Sequence, residues 1–178
     1  KRQPLRTRAL IGFVPDRAWF YPKVTGRELL RYVAGVRKIT DAEPVMTELL
    51  SRFDLADAAD RLTESYSHGM RQRLAFCIAL LGEPKLLISD EPMVGLDVHG
   101  HRLVKRLFRE LADAGRTVIL TTHIMEIAEQ MAERIGIIDR GKLKAEGTLD
   151  ELRSEAGAGH ATLETVFLEL VGRGRAEA

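Results

Sequence analysis

The sequence has one cysteine in 178 residues. A single thiol closes no internal disulfide and builds no thiolate cluster for a metal, which fits a reducing compartment. Long apolar runs are lacking too. The longest, around Ala75 to Leu81, falls far short of the roughly 18 residues that cross a bilayer. The basic start Lys1-Arg2 precedes only a brief apolar stretch broken by Gly12 and Pro15, too short for a secretory signal core. The third absence is an excess of charge: 27 Lys plus Arg against 26 Asp plus Glu leave +1. Acids and bases interleave through almost every segment, so nucleic acid is not expected as the main ligand. No internal repeat or low-complexity tract is visible. What remains, 45% hydrophobic and 30% charged residues, is the composition of an ordinary globular domain with a sizeable core. A cytoplasmic location is the expectation.

Apolar patterning gives the organisation. Ala9 to Val14 is a compact apolar run ended by Pro15, read as a buried strand leaving into a loop that carries Asp16. Thr25 with Glu28, and again Thr40 with Glu43, have the spacing of capping boxes that open helices. The stretch Thr25 to Leu62 therefore reads as helical and strand-free. A further helix is expected from Gly69 to Leu81, then a buried strand at Leu86-Leu87-Ile88, a helix from Val98 to Ala114 and a strand from Thr117 to Thr122. A helix near Met125 to Arg134 precedes Ile135-Gly136-Ile137-Ile138 and a turn at Asp139 to Lys142. Alternating strands and helices imply an α/β fold with a parallel sheet flanked by helices. The closing pair about Gly141 is expected as an antiparallel hairpin on the edge of that sheet. Two amphipathic pieces, Leu149 to Ser154 and Leu163 to Val171, complete the chain.

Four places carry chemistry. Leu86 to Pro92 is an apolar strand delivering two adjacent carboxylates, Asp90 and Glu91, at its carboxyl end, where ligands lie in open parallel sheets. One such acid can hold Mg²⁺ through its water shell while the other orients a water for attack on a γ-phosphate; adjacent acids at a strand end also occur as a solvated loop. Tyr66-Ser67-His68-Gly69-Met70 places a hydroxyl and a glycine at a helix start, where free N–H groups and the helix dipole favour anions. Ser67 is equally an ordinary N-cap, and the two roles are compatible. Gly95-Leu96-Asp97 then precedes the next helix, and His123 closes the strand after that.

In this order and spacing the chain resembles the ATP-binding-cassette (ABC) ATPases from Leu10 to about Gly147. The resemblance makes Ser67 to Met70 a signature loop, Leu86 to Glu91 a Walker B strand, Gly95 to Asp97 a D-loop and His123 a switch histidine. Gly12 to Asp16 becomes a Q-loop, and residues of about 25–80 a helical subdomain inserted in a P-loop NTPase-like fold. The tail of about 148–178, with Ala161 to Phe167, is similar to endings in the ABC-2-type exporter branch. The family implies ATP and Mg²⁺ as ligands: Asp90 and Asp16 at the metal, Glu91 and His123 in hydrolysis, Ser67, Gly69, Asp16 and Asp97 around nucleotide. It also implies a second nucleotide-binding domain facing head to tail. A separate membrane permease, peripheral attachment to the inner face of the cell membrane and transport in the export direction are further implications.

Two departures stand out: Asp16 replaces the usual Gln, and His68 replaces the usual signature Gly. The larger departure is that no Gly-x-x-x-x-Gly-Lys-Ser/Thr loop precedes Asp16. Gly136 to Lys142 matches most of that pattern, but Leu143 replaces the hydroxyl and a hairpin is expected there instead of a strand-to-helix loop. Since residue 1 is Lys, the expectation is an N-terminally incomplete cassette. The absent part would pair with Leu10 to Val14 and with Leu86 to Ile88, and the chain alone would fold poorly. A soluble ABC-type ATPase of translation or DNA repair, and a non-catalytic interaction module, are the alternatives. Cys77 reads as a small core residue, Trp19 and Tyr21 as loop packing or a partner's docking point, and Arg102, Lys105, Arg106 and Arg109 as a solvated helix face.

Overall fold

The computed structural model describes residues 4–176. The chain divides into two compact units, residues 1–121 and 122–178.

In the first unit, helix α1 (Pro4–Ala9) precedes strand β1 (Ile11–Val14), so the strand begins two residues later than its apolar run. Strands β2 (Leu86–Asp90) and β3 (Thr117–Thr121) complete a parallel sheet in the order β1-β2-β3. The registers Phe13↔Ile88 and Ile88↔Ile119 align the strands so that their carboxyl ends share one edge. Leu86 to Ile88 is paired on both sides, which corrects the expectation that it lacks a neighbour. Phe13, Ile88 and Ile119 form an apolar row on one face, where Phe13 is 54% and Ile119 47% exposed.

Helices α2 (Gly26–Arg37) and α3 (Ala42–Arg52), followed by short 3-10 turns at Ala56–Ala58 and Thr63–Ser65, occupy the stretch read as helical. An isolated antiparallel bridge joins Thr25 to Leu62. The Thr25 capping box forms in both directions, with Glu28 N–H donating to Thr25 Oγ1 at 3.1 Å and Thr25 N–H to Glu28 Oε2 at 2.8 Å. The Thr40 box does not. Helix α3 starts from Asp41, in a left-handed conformation with no side-chain cap, because Glu43 is engaged instead by Arg27 (2.9 Å) and Arg31 (3.2 Å) from α2. Two ion pairs link neighbouring helices here at the expense of one local cap.

Helix α4 (His68–Leu80) is buried along most of its length and packs on β1. The approach is close enough that a methyl group on Gly12 would lie 2.6 Å from the Ala79 carbonyl oxygen. Helix α5 (Val98–Asp113) buries Val104, Leu107, Phe108 and Leu111, while Arg102, Lys105, Arg106 and Arg109 face outward as expected. Phe53 stacks on Phe76 with ring centroids 5.7 Å apart, and Phe76 meets Phe108 at a 56° tilt with centroids 6.1 Å apart. They fasten the end of α3 to α4 and α5. Cys77 is fully buried, its Sγ 3.6 Å from the Leu49 carbonyl, and burial pushes its thiol far up, consistent with a core residue.

In the second unit, α6 (Met125–Met131) leads into strands β4 (Ile135–Asp139) and β5 (Lys142–Gly147). The two pair antiparallel through Arg140-Gly141, both at positive φ (49° and 75°), the geometry of a tight hairpin turn. They form their own two-stranded sheet, which corrects the expectation that the hairpin extends the edge of the parallel one. Helices α7 (Leu149–Ala156) and α8 (Leu163–Ala176) cover it, burying Leu152, Leu163 and Val166 against Ile135, Ile137 and Ala145. Glu129 fastens the group, accepting from Arg153 Nη2 at 3.2 Å and from the Leu163 N–H at 3.1 Å.

Candidate functional site

The carboxyl edge of the parallel sheet gathers the first group of expected residues. Asp90 ends the central strand, and Thr121, ending β3 beside it, donates its hydroxyl to Asp90 Oδ1. Glu91 follows at φ +46°, a left-handed conformation that costs a non-glycine residue free energy and is concentrated at functional turns. Its strained backbone is held at both ends: Glu91 N–H donates to the Thr121 carbonyl at 3.0 Å, and Val94 N–H to the Glu91 carbonyl at 3.1 Å. Pro92 and Met93 are buried beneath this turn. The two acids therefore occupy a fixed turn, not a solvated loop.

Asp16 lies two residues beyond β1, at the same edge, half-buried and 3.8 Å from the Arg17 guanidinium. Its loop is tied to α4 by Gln72, fully buried, whose Nε2 donates to the Pro15 carbonyl at 3.1 Å. In sequence Gln72 stands between two arginines and gives no sign of burial.

The signature segment starts α4. Ser67 caps it, accepting from Met70 N–H at 3.2 Å, so the capping role is realised and the hydroxyl stays exposed at the helix start. Tyr66 anchors the segment from below, its hydroxyl donating to the buried Ala58 carbonyl at 2.7 Å, and burial raises its phenol. Gly69 backs onto the loop after the carboxylates: a methyl placed on it would lie 3.2 Å from the Gly95 carbonyl oxygen. Asp97 caps α5, with Gly100 N–H donating to Oδ1 at 2.7 Å, and this bond holds its carboxyl below the usual range. His101 Nε2 is 3.0 Å from the Met93 carbonyl, another anchor that sequence reasoning missed.

One side of the first unit thus brings together Asp90, Glu91 and Thr121, and packs the Ser67–Gly69 helix start against the Gly95–Asp97 loop. His123, between β3 and α6, belongs to the second unit. Gly136 to Lys142 is the β4–β5 hairpin, with Lys142 opening a strand, so it offers no phosphate loop. Trp19 and Tyr21, 74% and 71% exposed with rings 5.8 Å apart, follow Asp16. Their loop is stitched to the 62–65 turn through Thr63, whose hydroxyl donates to the Tyr21 carbonyl at 2.6 Å.

A parallel sheet with adjacent acids on its carboxyl edge, beside a serine-capped helix that backs onto the following loop, defines an ABC-type ATP-binding domain. A solved structure described as the ATP binding subunit of an ABC transporter superposes with a TM-score of 0.88 at 30% identity, covering 94% of this chain and 71% of that one. The ABC transporter family model matches residues 2–94, and the chain belongs to that family. A daunorubicin resistance ATP-binding protein of Streptomyces coeruleorubidus is 39% identical over 158 residues, 88% of this chain and 50% of that protein. The linearmycin resistance ATP-binding protein of Bacillus subtilis is 35% identical over 158 residues, 88% and 51% respectively. The chain spans about half the length of these relatives. No helix among the described residues is long and apolar enough to cross a membrane.

Proposed function

We propose that the chain is the nucleotide-binding part of an ABC transporter that hydrolyses Mg-ATP to drive export through a separate permease. The observation that carries the reading is the fixed Asp90-Glu91 turn, with Asp90 oriented by Thr121 across the neighbouring strand. Its donors fit Mg²⁺: they are carboxylate and hydroxyl oxygens. That suits a hard cation that keeps its water and is shared with substrate phosphates. Bound Mg²⁺ neutralises charge on the phosphates. Asp90 and Asp16 would hold the ion, and Glu91 would orient the attacking water. His123 is assigned to the γ-phosphate by family resemblance.

Ser67 and Gly69 face the nucleotide of a second copy, where the start of α4 favours an anion, and Asp97 couples the two sites. The phosphates' principal cradle is a loop that these 178 residues do not contain. Residues of about 25–80 act as the helical subdomain and, with the Trp19–Tyr21 loop, transmit dimer closure to the permease on the cytoplasmic face of the membrane. Residues of about 148–178 form the C-terminal tail. Export is the direction favoured by the drug-resistance names of the relatives. The test is sedimentation of the full-length protein carrying Glu91→Gln: Mg-ATP should convert it from monomer to dimer, and a nucleotide-independent state would contradict the reading.

A further inference from the structure

The loop of residues 91–97 is gripped from the signature side by a residue that departs from the family pattern. His68, the first residue of α4, lays its imidazole over Gly95: a methyl group on Gly95 would fall within the ring, against Cδ2 and Nε2. Gly95 has φ +76°, which glycine adopts without penalty and which, with no side chain, leaves room for the ring. The adjacent Gly69 adds its own close approach, 3.2 Å from a built methyl to the Gly95 carbonyl oxygen. The flanks of the same loop are fixed by His101 on Met93 and by Gly100 on Asp97. The middle of the loop therefore rests on the start of α4.

We propose that His68 is a positioning residue that packs the loop carrying Glu91 against the Ser67–Gly69 helix start, so that both move as one body. The inference rests on the ATPase reading above. An exposed histidine at a helix start is ordinarily a solvated side chain, and here it is exposed overall. Its place over the one position of the 91–97 loop that lacks a side chain argues for a packing role. Through that contact, the turn that orients water in one site and the signature surface that closes over the other keep a fixed register. The contact is one of shape, so a ring without ionisable nitrogen should preserve it.

The test measures kcat and KM for ATP in the transporter assembled with its permease. His68→Ala should lower kcat about tenfold, as expected when a reacting group is slightly misplaced, with KM changed less than about twofold. His68→Phe should stay within about twofold of the parent in kcat. Gly95→Ala should also lose activity, and the double variant should lose less than the product of both losses, because removing the ring relieves the clash with the methyl while the backbone strain of a non-glycine residue at φ +76° remains. If Gly95→Ala does not fold, the comparison of His68→Ala with His68→Phe decides. An unchanged kcat in His68→Ala, equal damage from Phe and Ala, or simple multiplication in the double variant overturns the proposal. A parent protein whose ATP hydrolysis is absent, or survives Glu91→Gln, overturns the ATPase reading instead.

Discussion

Thr121 donates its hydroxyl to Asp90 Oδ1 across adjacent parallel strands, at the edge where both strands end. A carboxylate at a strand end can rotate freely; this one is fixed by a neighbour whose backbone carbonyl also receives the Glu91 N–H. Thr121 thus orients the Asp90 carboxylate and anchors the Glu91 backbone.

Replacing Thr121 with Val keeps the shape of the side chain and removes the donor. Groups that orient a metal-binding side chain typically affect metal affinity by about 10–100-fold. Thr121→Val should raise the Mg²⁺ concentration needed for half-maximal ATP hydrolysis by about tenfold, whereas Thr121→Ser should leave it near the parent value. A magnesium titration of the hydrolysis rate distinguishes the two.

The two threonines with capping-box spacing should respond differently to truncation. Thr25 accepts a bond from Glu28 N–H, so Thr25→Ala should cost about 1 kcal/mol of stability. Thr40 lies outside α3, which starts from Asp41 without a side-chain cap, and Thr40→Ala should change stability by less than about 0.5 kcal/mol. Urea denaturation of both variants beside the parent checks the contrast.

Asp97 bears on the acid limb of stability. The Gly100 N–H bond lowers its folded-state pKa from the ordinary 3.8. A lowered carboxylate stabilises the fold fully above its unfolded value, and that contribution disappears as pH falls through the folded value. Asp97→Asn keeps a capping oxygen but does not ionise. The variant should therefore lose less of its melting temperature than the parent as pH falls below 3.8, with the two converging under the most acidic conditions. A series of melting curves against pH reads the difference.

What could be read from the sequence was mostly local. The Thr25 box, the Ser67 cap and the turn between Asp139 and Lys142 each depend on residues within a few positions of one another, and each forms. The Thr40 box failed because Glu43 is drawn to arginines on another helix, a competition between elements that spacing does not encode. For the same reason the central position of β2 and the separate sheet of the hairpin were not legible: strand neighbours are chosen by packing over distances longer than any pattern window. The strand-end and helix-start positions of Asp90, Glu91, Ser67 and Asp97 were evident from residue type and order. Thr121, Gln72 and His101 were not, since each acts through a contact with a residue distant in sequence or a turn away. A hydroxyl at the end of the strand that follows the paired acids is the signal that would have pointed to Thr121.

The most direct measurement is the steady-state rate of Mg-ATP hydrolysis by the full-length protein, parent against Glu91→Gln. On the proposed reading Glu91 orients the attacking water, so its replacement should slow turnover at least about a hundredfold while ATP still binds. Hydrolysis in the Glu91→Gln variant within about twofold of the parent would contradict the account.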